Sequence, residues 1–428
     1  MALEADVLVL GGGMAGAVAA LSARAAGART VLVRRAPGAT ALSSGAISVA
    51  PDRDAPPDAP LSVRAGPLEA ARRIAATRPH HPYAVAGVGR LGEALDLAAR
   101  ELADVLAPRL DRPRFLATPL GGLVAAALCQ RSMVDGDLLA HHGGTVGVAG
   151  LRGHLAFDAG LVAAGLSRLR GRGGPEARAL AIELPRHVRG DARPHELALA
   201  LEPPGAAEAA GEALRARLPS DVAAVLLPPV LGLDPAARVA ERIAAAAGVP
   251  VAETVSDVPS VPGLRLQRAL ELRLAAAGVT VLTAAVADVR GPGVPVRAGG
   301  REVRAPAGVL ATGRFVGGGI ARRGVLVEPA LGLAVQAAEG REAGVHLAAR
   351  PAAALTSRDR LAPQALLSAG LRVDAALRPL DERGRPVHPR LFAAGAVIGG
   401  HEQATDGTGL GVAILTGFLA GGAAAGRG

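Results

Sequence analysis

The 428-residue sequence contains no lysine and no tryptophan, one cysteine, one tyrosine and only 1% aromatic residues. Each scarcity excludes something. The single Cys129 cannot form an intramolecular disulfide, nor hold an iron–sulfur cluster, which takes several thiolates. A reducing, cytoplasmic compartment is expected. With so few aromatics, the core has to be filled by alanine, valine and leucine, with glycine allowing close approach. Half of the residues are hydrophobic, enough for a sizeable core and too many for a disordered chain. With no lysine, every basic residue is arginine, and the formal charge of +9 is scattered along the chain. No basic stripe marks a nucleic-acid surface, so no nucleic-acid partner is expected. Membrane spans are also missing. Leu116–Cys129 is broken by Pro119, Gly121 and Gly122, and Gly411–Gly426 is glycine-rich and shorter than the ~20 residues a span needs. A strand pattern begins at Asp6 with no basic stretch and apolar run before it, so no signal peptide is expected.

What is present begins with Asp6–Leu10, an apolar run of the kind found in buried parallel strands. Gly11-Gly12-Gly13-Met14-Ala15-Gly16 follows, then an alanine-rich helix over Ala15–Ala26 and a second strand over Thr30–Val33. A G-x-G-x-x-G between strand and helix is the phosphate turn of a dinucleotide site. Gly11 permits the tight turn, Gly13 lets backbone approach a pyrophosphate, and Gly16 lets helix and strand pack closely. Met14 and Ala15 open the helix, whose N-terminus offers N–H groups and a positive dipole end.

The second strand normally ends in Asp or Glu, which accepts from a ribose hydroxyl. Here Arg34 and Arg35 occupy that place, and arginine only donates. Either the adenosine ribose is held differently, or the cofactor is a mononucleotide, or the arginine favours a ribose 2′-phosphate. Arg34 and Arg35 facing solvent is the plain alternative.

Pro51–Pro60 is a loop or linker. Further on, helices are expected near Leu91–Leu106, Asp158–Leu169 (capped by Asp158), Ala236–Ala247 and Pro262–Ala277. Strands are expected at Thr145–Val148, Val222–Pro228, Val279–Leu282, within Arg301–Leu310 and at Arg390–Ala394. The pattern predicts an α/β chain. A discontinuous Rossmann-like flavin-binding domain, residues 1–75 and 259–428, encloses an inserted α/β or α+β domain, residues 76–258.

Two late motifs carry the flavin reading. A strand ending in Ala311-Thr312-Gly313 is common in flavoproteins with two dinucleotide-binding domains. Leu391–His401, with Gly395, Gly399 and Gly400, continues to Thr408-Gly409-Leu410-Gly411. Such a segment runs beneath an isoalloxazine ring, where a helix N-terminus stabilises negative charge.

With these motifs on view, the chain resembles the family of anaerobic glycerol-3-phosphate dehydrogenase B subunits. Leu42-Ser43-Ser44-Gly45 is similar to that family's loop after the second strand. Thr118-Pro119-Leu120-Gly121, Ser132-Met133 and Val261–Leu266 resemble further motifs, and an Arg at position 34 suits the family. The stretches Arg170–Ser220 and Gln336–Leu361 diverge. The resemblance implies oxidation of sn-glycerol 3-phosphate, a small phosphorylated polyol, to dihydroxyacetone phosphate. It implies FMN, with FAD as the alternative. It also implies two partners, a flavoprotein (the A subunit) and an iron–sulfur protein that anchors the complex to the membrane (the C subunit), through which electrons pass to quinone. The chain would then sit in the cytoplasm, peripheral to the inner membrane through that iron–sulfur partner.

Hydride transfer from an alcohol needs a base for the hydroxyl proton and cations for the phosphate. His401, next to the flavin-loop glycines, is the candidate base. Arg265, Arg268 and Arg314 are candidate anion binders, and the plainer reading of each is an ordinary surface or loop arginine. His80-His81 and His141-His142 are adjacent pairs that point apart and chelate poorly, so no metal is expected. Two further functions remain open: an electron relay or scaffold that binds flavin without catalysing, and a stand-alone FAD-dependent oxidoreductase of the fumarate-reductase-like superfamily.

Overall fold

The structure is a computed structural model that describes residues 2–184, 192–284, 296–298, 300–323, 325–339, 342–346, 352–359, 362 and 364–426. Parts of the two divergent stretches, Arg170–Ser220 and Gln336–Leu361, lie outside these residues. The first unit is β1 (Val7–Leu10), α1 (Met14–Ala25) and β2 (Thr30–Arg34). All four residues of β1 are buried, as an apolar run between two layers requires. Small side chains let α1 be enclosed on nearly every side, from Met14 to Ala23.

Residues 51–60 form no helix or strand. Helices α2 (Pro67–Thr77), α3 (Pro82–Ala86) and α4 (Leu91–Glu101) come next. A parallel four-stranded unit then interleaves β3 (Thr145–Leu151), α5 (Ala159–Ser167), β4 (Glu176–Ile182), α6 (Pro194–Leu201), α7 (Ala206–Arg215), β5 (Val222–Leu227), α8 (Val239–Ala247) and β6 (Val251–Glu253). The chain returns through α9 (Val261–Ala276), β7 (Thr280–Thr283), β8 (Ala307–Leu310) and β9 (Leu391–Ala393) to α10 (Gly409–Ala424).

The main sheet has the order β7-β2-β1-β8-β9, and every neighbour is parallel. Its register sets Val9 beside Leu32 on one side and Val309 on the other, with Phe392 beyond. The second sheet has the order β4-β3-β5-β6. This is an α/β architecture with a Rossmann-like sheet whose strands come from both ends of the chain. Each sheet has its own core. Tyr83, Leu91 and Leu95, on α3 and α4, join the core of the main sheet. Leu197, Leu214 and Ile243 fill the core against the second sheet.

Local sequence explains the helices near the site. Ser260 caps α9, its Oγ accepting from Gly263 N–H at 2.8 Å, and Pro262 sits in the first turn where its missing N–H costs nothing. Leu266, Leu270 and Leu274, four apart, bury one stripe of α9. Among the described residues no helix is long and apolar enough to cross a membrane.

Candidate functional site

The glycine turn sits where β1 meets α1. Gly11 adopts φ +123°, and a Cβ there would stand 2.0 Å from the Ala311 carbonyl oxygen at the end of β8. Gly16 packs onto Gly11 in the same way, with its Cβ position 2.0 Å from Gly11 O. So Gly11, Gly16, Ala311 and Thr312 are brought into one junction. The loop after β2 folds over this junction: Gly38 lies against Gly13, and Thr40 Oγ1 accepts the Met14 N–H at 2.8 Å. Thr40 therefore takes one of the free N–H groups of the α1 terminus. Sequence reading missed Gly38 and Thr40, although a Gly-x-Thr ahead of Ser43-Ser44-Gly45 is a signal of a loop kept close to backbone.

That loop is tied to α9. Ser260 Oγ donates to Ser43 O at 2.6 Å, Ser256 N donates to Ser44 O at 3.0 Å, and Gly45 packs against Pro262 and Met133. Arg35 is exposed, with its guanidinium beside Gly318. Arg34 does not face solvent freely. Its stem lies over Gly12, and its guanidinium pairs with Glu271 of α9. Gln267 Nε2 donates to Gly12 O and to Glu271 Oε1, both at 3.0 Å. No local pattern could have linked Glu271 to Arg34 across 237 positions.

Of the late glycines, one reaches the same junction from the other side. Gly395 lies over Ala15, and its N–H donates to Thr416 Oγ1 at 2.8 Å. Gly399 packs against Gly370, and Gly400 against the His80 carbonyl. Thr408 is the residue before α10, and Gly411 sits beneath the Tyr83 hydroxyl. Gly409 opens α10, packed beside Gln403, and Gly313 borders open space. Arg314 staples this loop. Its guanidinium donates to Ala396 O at 3.2 Å, His401 O at 3.0 Å and Ile398 O at 3.4 Å, and also to Leu367 O. Burial lowers the Arg314 pKa to about 10, so it keeps its charge at neutral pH.

His401 is fully enclosed. Burial, then the charges of Arg314 and His81, hold it well below the usual histidine range, so the ring is neutral. The His81 ring stands edge-on to it at 5.7 Å. Arg78 and Asp406 form an ion pair at 2.6 Å beside His81. His81 is a further residue of this group, and nothing in the adjacent pair His80-His81 singles it out.

Arg265 is placed differently from the sequence expectation of an anion binder. It is buried, and its fork is committed. Nε donates to Gly232 O at 2.8 Å, and Nη1 reaches Gln130 Oε1, Ser132 Oγ and Glu253 Oε1 at 2.8, 3.0 and 2.5 Å. Nη2 bonds Glu253 Oε2 at 3.3 Å. Such a pair keeps its charges compensated inside the protein. Arg268 is exposed and pairs with Asp234.

Buried polar atoms normally find partners. Here Arg34 Nε, Ser43 Oγ, Gln267 Oε1 and Thr312 Oγ1 lack one at the glycine-turn end. At the other end, both ring nitrogens of His401 and Gln336 Oε1 lack one. An elongated group with phosphates and a polar-edged ring would satisfy both sets, so the residues present fit a flavin nucleotide.

Residues 6–412 match the family described as FAD binding domain. The chain is 32% identical to the probable anaerobic glycerol-3-phosphate dehydrogenase B subunit of Halobacterium salinarum, over 99% of both chains. It is 31% identical to the anaerobic glycerol-3-phosphate dehydrogenase B subunit of Pectobacterium atrosepticum, over 96% of each. Among solved structures, 3-ketosteroid delta1-dehydrogenase from Sterolibacterium denitrificans matches 99% of this chain and 100% of its own, at 12% identity and a TM-score of 0.44.

Proposed function

The chain belongs to the family of anaerobic glycerol-3-phosphate dehydrogenase B subunits, which are flavin oxidoreductases, and from that membership we propose that it is the flavin-bearing component that oxidises sn-glycerol 3-phosphate to dihydroxyacetone phosphate. The observation that supports the flavin-bearing part of this most is the two-ended set of unpartnered polar atoms, at the glycine turn and at His401. We assign FAD as the cofactor, because the matching family is an FAD-binding one. FMN, which the resemblance implies and which Arg34 allows, is the alternative.

A bound flavin supplies the hydride-accepting chemistry. The chain supplies the rest. Gly11, Gly13, Gly16 and the α1 N-terminus hold phosphates, with Thr40, Ser43 and Thr312 around them. Neutral His401 takes the hydroxyl proton once the loop that encloses it opens to substrate. Arg314 positions His401 through its carbonyl and adds a fixed positive charge nearby. Arg265 serves the scaffold. Residues 76–258 supply the part for contact with substrate or with a partner, between the two parts of the flavin domain, although α3 and α4 pack into the core of the main sheet. As the family resemblance implies, electrons leave to an iron–sulfur protein, and the single Cys129 agrees that any cluster lies on another chain. A second flavoprotein completes the complex, which is peripheral to the inner membrane through the iron–sulfur partner.

A second reading has an observation in its favour. Two of the three arginines offered for substrate phosphate, Arg265 and Arg314, spend most of their donors inside the protein. That favours a flavin-binding electron relay beside a catalytic partner.

One preparation separates these readings. The purified chain is denatured to release its flavin, and dye reduction by glycerol 3-phosphate is assayed with and without the flavoprotein partner. FAD release and dye reduction by the chain alone support the first. A flavin-loaded chain that is active only with its partner supports the relay. A colourless chain that takes up neither flavin defeats both.

A further inference from the structure

A ribose diol needs an oxygen acceptor, and β2 ends in Arg34, which can only donate. We propose that Glu271 on α9 supplies this acceptor to the adenosine ribose of an FAD, at the place that β2 leaves to a cation. The inference rests on the flavin reading above and adds the residue that selects the cofactor.

The geometry is a three-residue brace. Gln267 and Glu271 stand four apart on α9, on one face. Gln267 Nε2 donates at 3.0 Å to Gly12 O in the glycine turn and at 3.0 Å to Glu271 Oε1. The Arg34 guanidinium donates to that same Oε1. Both donors hold one carboxylate oxygen, and Oε2 accepts no bond among the described residues. The side chain is 36% exposed, so this oxygen can be reached. The stem of Arg34 fills the space over Gly12, with its Cδ 2.6 Å from a Cβ position there. An acid of ordinary length at position 34 would fill less of that space and would leave Glu271 without its cation. Burial works against the charge on Glu271, but the Arg34 and Gln267 hydrogen bonds outweigh it and keep the carboxylate below its usual range. A ribose 2′-phosphate would meet this carboxylate head on, which disfavours an NADP-type ligand and favours free hydroxyls.

The test uses the full-length apoprotein, titrated with FAD and FMN by flavin fluorescence. The native chain is expected to prefer FAD. Glu271→Gln should weaken FAD by about 10- to 100-fold, the range of a hydrogen bond to a charged group, and leave FMN affinity unchanged. FMN binding is also the control that the variant folds. R34Q/E271Q, which leaves no unpaired charge, should show the same selective loss. R34E/E271Q, which moves the acid to β2, should regain FAD. Glu271→Gln binding FAD within about twofold of the native chain, a difference of less than one hydrogen bond, would overturn the proposal. So would a native chain that prefers FMN, and that result would leave the flavin reading standing. A native chain that binds neither flavin overturns both.

Discussion

His81 links the ends of the chain through a protonation state. Its Nδ1 accepts the Tyr83 N–H at 3.1 Å and caps α3, so the neutral ring carries its proton on Nε2, toward Thr408 Oγ1 at 3.5 Å. Burial pulls its pKa down to about 4; the Asp406 charge opposes this, and the Arg78 charge adds to it. His401, Arg314 and Tyr83 are further titratable or charged groups of the cluster. The folded pKa lies below the unfolded value, so between them the unfolded chain binds more protons. Stability is therefore full above about pH 6.5 and falls as pH drops towards 4, by about 2 kcal/mol from His81 at pH 5. Asparagine keeps the capping acceptor and does not titrate. In urea titrations, His81→Asn should reduce the loss between pH 7 and pH 5 by about that amount. An unchanged pH dependence would show that His81 is not the group responsible.

Helices α1 and α10 touch backbone to backbone. A Cβ on Gly417 would stand 2.4 Å from Ala15 O, and one on Gly421 would stand 2.1 Å from Ala19 O. Overpacking of this kind costs about 1–3 kcal/mol. Because α1 starts at the glycine turn, Gly421→Ala should lower both the melting temperature and the flavin retained after dialysis. Native values for both would mean that the two helices can part without disturbing the turn. Elements with local signals were legible in the sequence. The Asp158 cap is in place, its Oδ1 accepting from Leu161 N–H at 3.0 Å, and Thr145–Leu151 extends the strand expected there. The helix expected from Ala236 begins later, because Arg238 takes a left-handed φ of +47° after a 3-10 turn at Pro235–Ala237. The glycine turn could be read because strand, turn and helix are contiguous. Glu271 beside Arg34, His81 beside His401 and the inward turn of Arg265 could not, since tertiary packing of distant segments alone creates them.

At the scale of the whole molecule, Cys129 reports on the integrity of the fold. It is buried, and burial pushes its thiol up to about 12, so almost no thiolate exists at neutral pH. A disulfide reagent should label it only through global opening, with a rate that rises steeply at the denaturation midpoint and slows when flavin is added. Rapid labelling in native buffer would contradict this burial. The parallel sheet carries a last consequence, in time. Val9 pairs with Val309, about 300 residues later, and at roughly 5–20 residues per second a ribosome takes about 15–60 s to deliver that neighbour. Through that interval β1 has an open edge and α1 lacks the cover of α10. The phosphate turn is among the first segments synthesised and among the last to become competent, so cofactor capture is a late event in the life of each chain, and its nascent form is a natural client for chaperones.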